Sequence, residues 1–134
     1  MAIHILDRKT HQISTLPGSG RRFHPDWSPD GRRISTYHQD WHMVLFDFAT
    51  KEWTDLTQLP AGYSRWSQDG KYVYFVSPPG IYRVRITDHQ VEQVVNLKEF
   101  RPAWNWIGLT HEDAPLALRD VGTQEIYALD VDFP

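Results

Sequence analysis

Apolar and polar residues alternate along most of this chain in runs of about five, and turn-forming residues bound the runs. Ile3-His4-Ile5-Leu6 and Gln12-Ile13-Ser14-Thr15-Leu16 form one such pair, separated by a short polar segment that predicts a hairpin. Lys71-Tyr72-Val73-Tyr74-Phe75-Val76 is a β-rich run of the same kind, and Glu52-Trp53-Thr54-Asp55-Leu56 another. A period of two places alternate side chains on opposite faces of a strand, so these runs predict half-buried strands. Helical periodicity is nearly absent; only Asn96-Leu97-Lys98-Glu99-Phe100 reads as one turn of helix. The expected class is all-β.

The pattern repeats. ILDRKTHQISTL (5–16) aligns with LFDFATKEWTDL (45–56), pairing Asp7 with Asp47 and Thr10 with Thr50 at an offset of 40 positions. VRITDHQVEQVV (84–95) is a third copy without the Asp-x-x-Thr spacing. Between these lie DWSPDGRRISTY (26–37) and RWSQDGKYVYFV (65–76), which pair Trp27 with Trp66, Ser28 with Ser67, Asp30 with Asp69 and Gly31 with Gly70. IGLTHEDAPLALRD (107–120) is a degenerate version, and GTQEIYALDVD (122–132) echoes HMVLFDF (42–48). Within the Trp-Ser-x-Asp-Gly element, Asp accepts bonds from turn amides and Gly supplies a positive φ, so the chain reverses there. One unit then holds four short antiparallel strands in roughly 40 residues, the signature of a β-propeller blade.

DWSPDGRRIS and RWSQDGKYVYF resemble the repeats of TolB-type propellers, also called WD40-like or PD40 repeats; Gln68 stands where that pattern has proline. The final stretch, from Trp106, resembles the C-terminus of large bacterial signalling proteins in which a winged-helix or Ser/Thr kinase domain precedes such a propeller. The resemblance implies a C-terminal sensor or interaction module of a larger regulator, and it transfers no catalytic residue.

Blade pieces are expected at about 3–16, 22–56, 62–95 and 102–131, within one propeller segment spanning 1–134. These amount to about three four-stranded blades, fewer than the four to eight or so of known rings. A six-bladed ring is therefore expected, completed by a two-fold homodimer or by further sequence. Trp27 and Trp66 recur at one blade position and are expected in the wedge between blades.

Composition narrows the function. Of 134 residues, 14 are Lys or Arg and 17 are Asp or Glu, a net charge of −3. That balance argues against binding nucleic acid through this domain, which needs a basic face. Zero cysteines exclude disulfides, thiolate zinc sites and thiol catalysis, and leave open whether the compartment is cytoplasm or periplasm. No apolar run reaches the ~18 residues of a membrane span.

Candidate chemistry is sparse. His38, Asp40 and His42 are close in sequence, but they lack the Glu of a zincin motif and fall between strands, so a polar loop is the expected reading and no metal or cofactor is assigned. Gly62-Tyr63-Ser64-Arg65-Trp66 is not a hydrolase nucleophile elbow. His24, beside Pro25, reads as a packing residue. Arg21, Arg22, Arg32 and Arg33 offer a local basic patch for an acidic partner, though exposed turns are the commoner explanation of such residues. Trp41, Trp104 and Trp106 break the repeat beside His42, Arg101 and Asn105, and aromatics of that kind mark a propeller's loop face. These six are the candidate binding residues. The expected function is non-enzymatic recognition of a protein or peptide; the alternative is a fragment of a propeller-type hydrolase or lyase with a metal or carbohydrate ligand.

Overall fold

The computed structural model of the chain describes residues 1–100 and 102–123. Among these, twelve strands form four antiparallel sheets. β1 (His4–Leu6) pairs with β2 (Ile13–Thr15). β3 (Arg22–Trp27), β4 (Arg33–His38), β5 (Met43–Asp47) and β6 (Glu52–Thr57) follow one another across the second sheet. β7 (Gly62–Trp66), β8 (Tyr72–Ser77), β9 (Gly80–Arg85) and β10 (Val91–Asn96) do the same in the third. β11 (Pro102–Leu109) pairs with β12 (Pro115–Arg119). The expected third strand of the last unit, within 122–132, falls almost wholly outside the described residues. Residues 96–100 form no helix, only a turn in which the Phe100 amide donates to the Leu97 carbonyl at 2.9 Å.

Strands β4, β5 and β8 are buried on both faces, and alternation along the strands builds three cores between successive sheets. In β8, Val73 and Phe75 point toward the second sheet, while Tyr74 and Val76 point toward the fourth. Between the second and third sheets, Tyr37, Met43, Leu45 and Leu56 meet Trp66, Val73, Phe75 and Val84. Between the third and fourth, Tyr74, Val76, Ile81 and Leu97 enclose Ile107. Ile3 and Leu16 of the first sheet cover Ile34 and Phe46 of the second. Each sheet is too thin to bury its faces alone, so stacking supplies the hydrophobic stabilisation, about 1.5–3 kcal/mol for each large side chain taken out of water.

The repeated turn has a chemical basis beyond its Asp and Gly. Ser67 is almost wholly buried, and its hydroxyl donates toward Asp69 Oδ1 at 2.8 Å while accepting from the Tyr72 amide at 3.0 Å. Ser28 repeats this with Asp30 at 2.6 Å and the Arg33 amide at 2.9 Å. Gly31 and Gly70 hold φ of 68° and 67°. Asp113 takes the same place in the third copy at φ 59°, in the left-handed region that asparagine and aspartate tolerate best after glycine.

Two expectations are corrected. Trp66 lies between sheets at 8% exposure, with its indole N–H donating to the Asp26 carbonyl at 3.2 Å, but Trp27 is 47% exposed. Among the described residues the first sheet consists of β1 and β2 alone, and no strand stands against Trp27 as β3 stands against Trp66. The four arginines form no single patch, because Arg21 and Arg22 lie at the opposite end of β3 from Arg32 and Arg33. Arg22 sits over the Trp53 ring, 4.1 Å from its centroid, and Arg33 pairs with Asp47 at 2.8 Å.

Candidate binding site

β3 and β7 begin, and the β4–β5 turn closes, at the end of the sheets opposite the Trp-Ser-x-Asp-Gly turns. That turn is His38-Gln39-Asp40-Trp41-His42, with the Trp41 amide donating to the His38 carbonyl and the His38 amide to the His42 carbonyl, each at 2.9 Å. Three-residue hairpin loops of this kind end on a left-handed residue, usually glycine. Here that residue is Trp41, at φ 67° and 52% exposed. A tryptophan in this conformation costs about 1 kcal/mol relative to glycine, so turn geometry does not account for it.

The Trp41 ring is held from beneath. Phe23 meets it edge-on with centroids 5.2 Å apart, and Tyr37 lies 6.5 Å away. Phe23 also packs edge-on against His24, and His24 lies 5.6 Å from Tyr63 across the junction of the second and third sheets. His24 is a second residue at positive φ, 51°, at the bulge where the β3–β4 ladder slips between Phe23 and Asp26. The buried Tyr37 hydroxyl donates to the Gly62 carbonyl at 2.8 Å and ties the two sheets together, and burial pushes its pKa up.

Trp41 divides two shallow clefts. One, about 160 Å³, is lined by Trp41, Pro60, Ala61, Gly62, Val76 and Pro78. On its other side a recess of about 40 Å³ bounded by His24, Tyr37, Trp41 and Tyr63 adjoins a cleft of about 110 Å³ that reaches Asp26, Ser64 and Arg65. Small-molecule sites usually run to roughly 300–1,000 Å³, so these clefts each suit a single side chain or sugar-sized group.

The floor beside Arg65 carries a titrating group. Burial raises the Asp26 carboxyl above its ordinary value, while the Arg65 charge and the Trp27 amide pull it back. Folded Asp26 therefore keeps its proton to higher pH than the unfolded chain does. Stability attributable to this group falls as pH rises from the unfolded value of 3.8 through the folded one, and stays lower above it. Asp26→Asn is expected to raise the melting temperature at pH 7, with the gain vanishing below about pH 4; thermal unfolding by circular dichroism across that range measures it.

Of the six sequence-predicted residues, Trp41 and His42 lie together in the β4–β5 turn. Asp40 sits between two imidazoles, with His38 Nδ1 at 3.0 Å from Oδ1 and His42 Nδ1 at 3.5 Å from Oδ2. Burial opposes ionisation of Asp40, but the His42 amide and the His38 side chain hold its carboxyl below the ordinary value. Among the described residues no three His, Asp or Glu groups are arranged to hold a metal ion. Trp106 is on β11 instead, half-buried and folded over Gly108, where an added methyl group would lie 2.7 Å from its ring. Trp104 and Asn105 also lie on β11, with side chains outside the described set, and Arg101 lies outside the described residues altogether. Sequence reasoning missed Phe23, His24, Tyr37 and Tyr63 as partners of Trp41. The one available signal was His24-Pro25 within a strand, which marks a bulge.

Comparison with solved structures decides the architecture. A putative TolB from Agrobacterium tumefaciens superposes with a TM-score of 0.62 at 24% identity, over 71% of this chain and 38% of that one. The chain has the fold of a TolB-like β-propeller. An oligogalacturonate lyase from Vibrio parahaemolyticus gives a TM-score of 0.63 at 12% identity, covering 84% of this chain and 34% of that one. The dihydro-haem d1 dehydrogenase NirN gives 0.51 at 22% identity, over 69% and 21%. The chain thus spans well under half the length of each of these structures. No family model and no curated protein matches it.

Proposed function

We propose that this TolB-like segment is a non-catalytic recognition module, which binds a protein or peptide at the end of its sheets that carries Trp41, as the sensing or interaction part of a bacterial regulator. The observation that carries the proposal is Trp41 itself. An exposed indole is held in a conformation better suited to glycine, on a floor of Phe23 and Tyr37, between two clefts of side-chain size. Rigid aromatic anchors in pockets supply most of the energy in peptide recognition, and backbone strain persists where the surroundings over-determine it.

Panning a random-peptide phage library against the chain tests this. Recovered peptides are expected to bind with micromolar affinity and to lose at least about tenfold in Trp41→Gly, or 1.4 kcal/mol. The same substitution relieves the left-handed strain, so the melting temperature should change little. Absence of enrichment, or peptides indifferent to Trp41→Gly, overturns the proposal.

A second reading, a carbohydrate lyase or hydrolase fragment, has one observation in its favour: His24, Asp26, Tyr63 and Arg65 line one cleft. Unsaturated product formed from oligogalacturonate, and lost in Asp26→Asn, would select it.

A further inference from the structure

The turns at 28–31, 67–70 and 110–113 lie at the end of the sheets opposite Trp41, and successive turns meet there. They share one backbone bond, from the last residue's amide to the first residue's carbonyl: Gly31 to Ser28 at 2.9 Å, Gly70 to Ser67 at 3.0 Å and Asp113 to Thr110 at 3.0 Å. The residue just after each serine faces that last position in the turn of the next sheet. Pro29 faces Gly70, where an added methyl group would stand 3.7 Å from the Pro29 Cδ, an ordinary van der Waals contact. Gln68 faces Asp113, and its amide donates to the carboxylate, 3.0 Å from Oδ1 and 3.3 Å from Oδ2, across 45 positions of sequence.

We infer that Gln68 and Asp113 are a matched pair that selects the fourth sheet as the neighbour of the third, just as Pro29 and Gly70 are matched between the second and the third. Proline has no N–H and glycine has no carboxylate, so neither member of one pair can serve in the other. Asp113 set against a proline would face an apolar ring with its hydrogen bond gone, and Gln68 set against a glycine would lose its acceptor. Leaving one polar partner unpaired costs more than a contact that is apolar on both sides. Units as alike as these can stack in the wrong order, a characteristic failure of repeat proteins. A stack that strands a carboxylate or an amide is thereby disfavoured against the correct one.

Two further observations fit this role. Between the second and third sheets the Trp66 indole donates to the Asp26 carbonyl at 3.2 Å. Leu109 holds the position of Trp66 on β11, opposite Pro115 as Trp66 is opposite Val73, and leucine cannot make that bond. The Gln68–Asp113 bond thus ties the third sheet to the fourth at the junction where the indole is replaced. Asp113 also stands at φ 59°, where glycine is the easiest residue, so backbone geometry gives no reason for an aspartate there. The departures of Gln68 from proline and of Asp113 from glycine are one change seen from two sides.

Double-substitution cycles on the full chain, read by urea unfolding, test the pairing. All four positions lie in exposed or half-exposed turns, so the variants should fold. Gln68→Pro is expected to raise the unfolding equilibrium constant at least about fivefold in the wild-type background, and less than about twofold in the Asp113→Gly background. At the other junction Gly70→Asp should be destabilising, and adding Pro29→Gln should recover most of that loss, whereas Pro29→Gln alone brings no gain. Amide exchange in the Gln68→Pro variant should accelerate in β11 and β12 and stay unchanged in β3–β6. An effect of Gln68→Pro that is negligible, or equal in the two backgrounds, overturns the inference. So does a Gly70→Asp variant as stable as the wild type, a Gly70→Asp loss that Pro29→Gln leaves in place, or exchange that accelerates equally in all sheets.

Discussion

Trp66→Ala is expected to cost about 3–5 kcal/mol of unfolding free energy, the range for deleting a large buried aromatic. The indole stands in the core between the second and third sheets with Tyr37, Met43, Val73 and Phe75, and its N–H is the direct hydrogen bond from that ring to β3. Truncation opens a cavity that β4, β5 and β8 cannot collapse into, because each of these is held by ladders on both sides. Against a total stability of about 5–15 kcal/mol, the loss is enough to leave much of the chain unfolded near body temperature. Trp66→Phe keeps most of the ring and gives up the bond to the Asp26 carbonyl, so it should cost much less, about 1 kcal/mol for the bond plus a small cavity term. Urea unfolding followed by circular dichroism separates the two variants. Equal losses would show that the bond, and not the packing, carries Trp66.

Gly80→Ala comes next in expected size. Gly80 opens β9 opposite Asn96, beside the point where the β9–β10 ladder slips between Gln93 and Val95. A methyl group built there would collide with the Val95 carbonyl oxygen and lie 2.7 Å from Gln93 Nε2. Gln93 can swing away, but the Val95 carbonyl is backbone and can yield only if the bulge opens. Overpacking of this kind costs about 3 kcal/mol, at the upper end of its usual range. The damage should be local first, so amide exchange in β9 and β10 should accelerate more than in β3–β6. Uniform acceleration across both four-stranded sheets would contradict this account. The glycine is needed here for close approach rather than for a positive φ.

The repeat units were legible because each is specified by local chemistry. Asp7 and Asp47 each accept bonds from the two amides that follow in their turns, and Ser28 and Ser67 each clamp their own hairpin. Such contacts span two to five residues, so they leave a fixed spacing in the sequence. Trp27 and Trp66 show where that reading stops. Their local sequences are nearly the same, yet one is buried and the other half-exposed, because burial depends on whether an inner strand stands on the far side. The candidate site was legible only in part for the same reason. Trp41 and His42 were marked by breaking the repeat, whereas His24 and Tyr63 joined Trp41 through a bulge and an inter-sheet contact that link residues 17 to 39 positions apart.

Sequence alone therefore determined the strand periodicity, the roughly 40-residue unit, the turn chemistry and the all-β class, since all of these follow from interactions between near neighbours along the chain. Tertiary structure decided which faces are covered, which aromatics converge on Trp41, and that the four arginines are apart. Those depend on how one sheet is stacked on the next, and stacking is set by side chains that meet across sheets, not by the residues beside them in the chain.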